Sequence, residues 1–186
     1  PYIVHPILVA AITAKISNDE MMVQAALLHD VVEDTSFTIE ELESEFGYDV
    51  AHMVEGLTKI VEIRDEELIP SGSDERLINS ALTFRKMLIA SIKDVRVLVI
   101  KLCDRLHNML TLDALSAEKQ RRIAEETIVV YAPIAHRLGI SRLKNHLEDF
   151  SFQYIYPEDY KSIYTYIKYN EQNLKFKINA FIQNLK

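Results

Sequence analysis

Four ionisable side chains, His29, Asp30, Glu33 and Asp34, crowd into the apolar run at residues 24–35, Q-A-A-L-L-H-D-V-V-E-D-T. Imidazole and carboxylate are the groups that ligate a metal through nitrogen and oxygen and that move protons near neutral pH. Read as one helix, the stretch puts His29 and Glu33 on a face with Met22, Ala25 and Ala26, and Asp30 and Asp34 on the adjoining strip. The two alanines let other helices approach, so the strip is expected to be buried and to need a cation or metal against its carboxylates.

A second polar group stands on the segment 95–112, V-R-V-L-V-I-K-L-C-D-R-L-H-N-M-L-T-L. Lys101, Asp104, Arg105, Asn108 and Thr111 fall within about a third of a helix circumference, with Val99, Leu102, Cys103, Leu106 and Leu110 opposite. Alone, Asp104 is better explained as pairing with Arg105 or Lys101 on a solvated face than as a functional residue. Together with His5 at a helix entrance and the adjacent His29 and Asp30, it completes a mixed nitrogen and oxygen set for one metal, with positions left for water and substrate. Neighbouring helical residues diverge by about 100°, so the central helix must present its edge to such an ion.

The elements that carry these residues follow from their punctuation. Pro6 suits the first turn of a helix running to about Ile16, with His5 at its cap. Asp19 caps the central helix, expected to end near Asp34. Thr38 and Glu41 form a capping box, with Phe37 and Leu42 as its hydrophobic staple, for a helix that stops at Gly47. Asp49 caps the next, to about Lys59. Residues 61–73, with their acidic cluster and a Ser-Gly-Ser stretch, read as a long mobile loop. Helical periodicity resumes over 74–92, from Val95 to Leu110, and from Ala117 after a Ser116 cap, until Pro133 kinks or ends it. Gly139 closes that segment, Ser141 caps a helix to about Tyr154, and Pro157 opens the last one. Its Tyr160, Tyr164, Tyr166 and Tyr169 are assigned to core packing rather than to a partner surface.

The 186 residues suit a single domain, 48% of them hydrophobic, and only 4 Gly and 5 Pro favour an all-α fold over one built on turns. A net charge of −7 and a pI near 5.4 argue against direct nucleic-acid binding. The lone Cys103 excludes an internal disulfide. The most apolar segment, 95–103, is broken by Arg96 and Lys101, so no membrane span is expected and a soluble, cytoplasmic chain is. Opening on Pro1 without an initiator Met, it reads as a fragment.

Six strings in order resemble the hydrolase domain of the RelA/SpoT bifunctional (p)ppGpp synthetase/hydrolases: H-P at His5, A-A-L-L-H-D-V-V-E-D-T from Ala25, F-G at Phe46, F-R-K-M from Phe84, K-L-C-D-R-L-H-N-M from Lys101, and Y-A-P-I-A-H-R-L-G-I from Tyr131. The resemblance implies an HD-domain helical bundle over 1–186, its last helix (about 157–186) leading toward synthetase and regulatory domains of a longer protein. It implies a manganese ion, Mn2+, held by His5, His29, Asp30 and Asp104. The implied reaction is hydrolysis of the 3′-diphosphate of guanosine tetra- or pentaphosphate to GDP or GTP and pyrophosphate. Glu33 and Asp34 match the family's acidic pair beside the metal, with proton transfer or water positioning as their role; Asn108 and Thr111 match substrate-contacting positions. The chain departs from the family at Leu110, where Arg is usual, and at Leu82 and Thr83, where Glu and Asn are frequent. The basic Arg-Lys stretch that the family places upstream of Pro1 lies outside this sequence.

Hydrolysis of another nucleotide and an inactive regulatory module are the competing readings. His52, His107 and His146 are read as surface or satisfied core residues, His136 as part of a structural cap near Gly139, Cys103 as a buried inert thiol, and Arg121 with Arg122 as a solvated face. No glycine-rich phosphate loop is present, so a phosphate substrate depends on metal and basic side chains.

Overall fold

The computed structural model describes residues 3–66, 78, 81–85, 87–89 and 94–184. Helices α1 (Val4–Ala14), α2 (Glu20–Leu27), α3 (Val31–Asp34), α4 (Ile39–Phe46) and α5 (Tyr48–Glu66) come first, and residues 81–85 and 87–89 are helical. Then follow α6 (Val95–Leu110), a 3-10 turn (Leu112–Ala114), α7 (Ala117–Glu126), α8 (Ala132–Arg137), α9 (Ser141–Ile155) and α10 (Pro157–Asn184). No strand occurs among the described residues, so the expected all-α class holds.

Several helix ends are written locally. The Asp19 carboxylate accepts the amides of Met21 and Met22 at 3.0 and 3.2 Å, and Asp94 accepts that of Arg96 at 2.9 Å. Thr38 and Glu41 make the capping box in both directions, and α4 stops at Gly47, whose φ of +86° is open to glycine at no steric cost. Elsewhere boundaries differ from those read in sequence. His5 lies inside the first turn of α1 rather than at its cap, which is Ile3. Tyr48, not Asp49, precedes the rest of α5, and Ser141 is already helical. Ser116 stands at the N-cap of α7 without a side-chain cap bond; Gln120 Nε2 instead donates to the carbonyls of Leu112 and Leu115.

Two departures are larger. Helix α5 runs on through Glu66, where a loop was expected from Val61; the rest of the expected mobile loop, 67–73, lies outside the described residues, as does much of the helix expected over 74–92. Pro133 does not end its helix. A π turn at Thr127–Tyr131, closed by the Ala132 amide donating to the Thr127 carbonyl, precedes it and carries the chain from α7 into α8. A proline takes one i→i−4 bond away, and the wider turn is the local adjustment that keeps the helix going.

Helix α6 is the axis. It packs on α1, α2, α5, α9 and the π turn, and Val97, Ile100, Leu102, Cys103 and Met109 are buried along with Asp104, Arg105 and His107. Asp104 is itself buried, so the solvated face that would have explained it alone is not where it stands. Gly56 of α5 sits so close that a Cβ there would meet Val97 Cγ2 at 3.0 Å, so the pairing of α5 with α6 depends on its missing side chain. At the far end, α10 touches α9. Tyr164, Tyr166 and Tyr169 are exposed and Tyr160 is half-buried, which overturns their assignment to the core.

Candidate metal centre

The central helix breaks where His29 and Asp30 stand. Helix α2 ends at Leu27, and Leu28, His29 and Asp30 form a turn before α3, with the Val31 amide donating to the Leu28 carbonyl at 3.0 Å. A continuous helix would send His29 and Asp30 in directions 100° apart. The turn aims them at one point: His29 Nε2 lies 3.0 Å from Asp30 Oδ1. Ala25 and Ala26, both fully buried, let α1 close on α2, and this brings His5 over the turn.

His5 Nε2 is 3.2 Å from His29 Nε2, 3.7 Å from Asp30 Oδ2 and 3.4 Å from Asp104 Oδ1. Ligand atoms of His5, His29 and Asp30 all fall within 4.8 Å of one another, and Asp104 joins them through its contact with His5. The buried His29 directs its Nδ1–H to the Ala26 carbonyl at 2.9 Å, which in the neutral ring leaves the Nε2 lone pair facing the cluster. Converging imidazole nitrogens and carboxylate oxygens are the donor set of a divalent ion, and these residues fit one. Burial lowers the affinity of His29 for a proton, but Asp30 and Asp104 outweigh it and raise its pKa: the pocket attracts positive charge.

Asp104 is held from two sides. Lys101 Nζ lies 2.9 Å from Oδ2, and Asn108 Nδ2 donates to Oδ1 at 2.8 Å. Burial pushes the Asp104 carboxyl up, and Lys101, His5 and His29 overcome it and hold it well below the usual carboxylate range. The neighbouring Arg105 points elsewhere: it donates to Glu126 at 3.0 Å and to the Tyr131 hydroxyl at 2.6 Å, with its guanidinium 3.8 Å over the Tyr131 ring. The sequence offered Lys101 or Arg105 as partner of Asp104, and the choice falls on Lys101.

Glu33 and Asp34 follow on α3, both reaching solvent. Partial desolvation raises the Glu33 carboxyl, Lys101 opposes it, and Asp30 and Asp34 add to the rise. Asn108 and Thr111 are exposed at the end of α6; Thr111 Oγ1 lies 3.3 Å from the carbonyls of His107 and Asn108, to which it donates. His107, read as a surface or satisfied core residue, is a buried one, and sequence reading did not place it against His5. It is 6% exposed, its Nδ1 is 2.7 Å from His5 Nδ1, and burial, then His5, lowers its pKa. The signal was available in its position, one turn beyond Asp104 on the same helix.

The other bland assignments hold. His52 stacks on Tyr48 and His146 on Phe150. The end of α8 is a backbone turn, Gly139 N–H donating to the His136 carbonyl at 3.0 Å. Arg121 pairs with Glu125 on an exposed face, and the buried Cys103 thiol is pushed up to about 11. No described helix is long and apolar enough to cross a membrane.

An all-helical fold with a buried His-Asp turn facing a second histidine and a second aspartate defines the class, and a profile of the HD domain matches residues 1–141. The chain belongs to the HD-domain family. It is 51% identical over 163 residues to a probable guanosine-3′,5′-bis(diphosphate) 3′-pyrophosphohydrolase of Synechocystis, covering 88% of this chain and 20% of that protein. It is 44% identical over 186 residues to the guanosine-3′,5′-bis(diphosphate) 3′-pyrophosphohydrolase of Haemophilus influenzae, covering all of this chain and 26% of the relative. The GTP pyrophosphokinase of Myxococcus xanthus is 49% identical over 160 residues, 86% of this chain and 20% of its own length. The chain thus spans about a quarter or less of these relatives.

Proposed function

We propose that this chain hydrolyses the 3′-diphosphate of guanosine tetra- or pentaphosphate, releasing pyrophosphate and GDP or GTP, with Mn2+ held by His5, His29, Asp30 and Asp104. The observation that carries the reading is the convergence of His5, His29 and Asp30 within 4.8 Å, beside an Asp104 fixed by Lys101 and Asn108. The relatives named as 3′-pyrophosphohydrolases support the substrate. Mixed imidazole and carboxylate ligation suits manganese better than a thiolate-loving ion. When bound, the ion supplies positive charge to the phosphate oxygens and acidity to a water.

The chain's own residues do the rest. Glu33, its carboxyl raised by partial desolvation, is assigned proton transfer, and Asp34 beside it the positioning of water. Asn108 fixes Asp104 with one amide hydrogen and has a second hydrogen and a carbonyl to offer the substrate; Thr111 adds a hydroxyl one turn on. The unit is one hydrolase domain, 1–186, of a longer cytoplasmic protein in which α10 leads toward synthetase and regulatory domains.

A nucleotide panel with Mn2+ tests the substrate. Guanosine 3′-diphosphates should turn over well ahead of GTP, dGTP and the adenosine 3′-diphosphates. Equal or faster cleavage of nucleotides lacking a 3′-diphosphate would replace this reading with a general nucleotide phosphohydrolase.

A further inference from the structure

His5 and His107 meet through their Nδ1 atoms at 2.7 Å, with ring centroids 4.7 Å apart and planes inclined at 62°. Two nitrogen lone pairs do not approach that closely, and neither do two N–H groups, so one proton lies between them. If His5 carries it, His5 Nε2 keeps a lone pair, and that atom faces His29, Asp30 and Asp104. If His107 carries it, neutral His5 is protonated at Nε2 and has no lone pair to give an ion. Only the first arrangement lets His5 serve as a ligand.

We infer that His107 is a positioning residue: its Nδ1 accepts the Nδ1–H of His5 and holds His5 in the tautomer and ring orientation that turn Nε2 toward the metal. This rests on the proposed role of His5 as a ligand. Helix α6 is suited to the task because it fixes two sides of the site at once. Asp104 faces His5 Nε2 and, one turn further, His107 faces His5 Nδ1, so a single rigid helix grips the imidazole at both nitrogens. His107 is 6% exposed, so the acceptor itself is largely withdrawn from solvent. His29 has the equivalent support from the Ala26 carbonyl. Each imidazole of the site therefore has a protein acceptor behind it, the arrangement by which outer partners fix a ligating histidine.

The test compares the unaltered protein with His107→Leu, which removes the acceptor, and His107→Asn, whose amide oxygen can occupy the place of Nδ1. Titration calorimetry with Mn2+ reads affinity directly. The Leu variant should bind roughly 10- to 100-fold more weakly, the size typical of losing an outer partner, and the Asn variant within about threefold of the unaltered protein. In 15N-histidine spectra of the protein loaded with diamagnetic Zn2+, His5 should carry its proton on Nδ1, shielded from exchange. Excess Mn2+ should restore pyrophosphate release by the Leu variant, which a collapsed fold would not allow.

Equal affinity of all three proteins, an Asn variant as weak as Leu, or His5 protonated at Nε2 in the loaded protein would overturn the inference while leaving the metal site standing. No uptake of Mn2+ or Zn2+ by the unaltered protein would instead remove His5 as a ligand, and the inference with it. Should the Leu variant fail to fold, the Asn affinity and the spectrum of the unaltered protein decide.

Discussion

Replacing Lys101 with Met keeps the length of the side chain and removes the charge 2.9 Å from Asp104 Oδ2. The Lys101 and Asp104 side chains are 16% and 8% exposed, so Asp104 would keep a nearly buried negative charge without its main counter-ion. Burial works against the Lys101 ammonium, and Asp104 outweighs it, a sign that the pair is held together in the fold. Removing one partner of a buried pair costs about 3–5 kcal/mol. Asp104 retains the Asn108 N–H and His5, which puts the cost near the lower end, about 3 kcal/mol. In a chain of this size that lowers Tm by about 6–12 °C. The assay is thermal unfolding in chelator, followed by circular dichroism. Lys101→Met with Asp104→Asn should recover most of the loss, because a neutral amide needs no counter-ion, and the shortfall from additivity should be about 2 kcal/mol. Mn2+ should raise the Tm of Lys101→Met and leave that of the double variant unchanged. A drop below about 2 °C for the single variant, or strictly additive losses, would refute the claim that Lys101 neutralises Asp104.

Glu33→Gln with Asp34→Asn should abolish most turnover and leave Mn2+ binding near its original affinity, read by calorimetry; a parallel loss of metal would make them ligands. Arg96 ties Asp94, Asp19 and Asp49 together, at the starts of α6, α2 and α5, and Arg96→Ala should cost about 2 kcal/mol at pH 7 after allowance for partial exposure. Arg96 lowers the Asp19 carboxyl against a smaller effect of burial, and at Asp94 it overcomes a larger one. Depressed carboxylates stabilise above their unfolded pKa of about 3.9 and lose that contribution as pH falls through the lower folded values, so urea midpoints of the two proteins should converge as pH falls below about 4. Cys103, fully buried and pushed up to about 11, should resist a disulfide reagent at pH 7.5 until urea unfolds the chain.

Sequence carried the helical class and pointed to most of the polar residues that the fold brings together, because polar residues at apolar positions stand out: a His-Asp pair after Ala25 and Ala26, and Lys101 with Asp104 inside a run of Val, Ile and Leu. It did not carry the turn at Leu28 to Asp30. Nothing in A-A-L-L-H-D-V-V-E-D breaks a helix by propensity; the break falls where His5 of α1 lies against His29 and Asp30, contacts that local pattern does not reveal. His107 was passed over because its partner His5 is 102 residues away, and helical periodicity says only which face a residue shares. The tyrosines of α10 misled for a related reason: aromatic spacing predicts an apolar stripe, and only packing decides whether anything lies against it.

The most direct measurement is of products. Purified protein reconstituted with one equivalent of Mn2+ is given guanosine tetraphosphate, and nucleotide and phosphate products are resolved by anion exchange, with Asp104→Asn as the control. The account predicts GDP and pyrophosphate in equal amounts from the metal-loaded protein and neither from the control. Orthophosphate as the product, or unchanged guanosine tetraphosphate with the metal demonstrably bound and the fold intact, would contradict it.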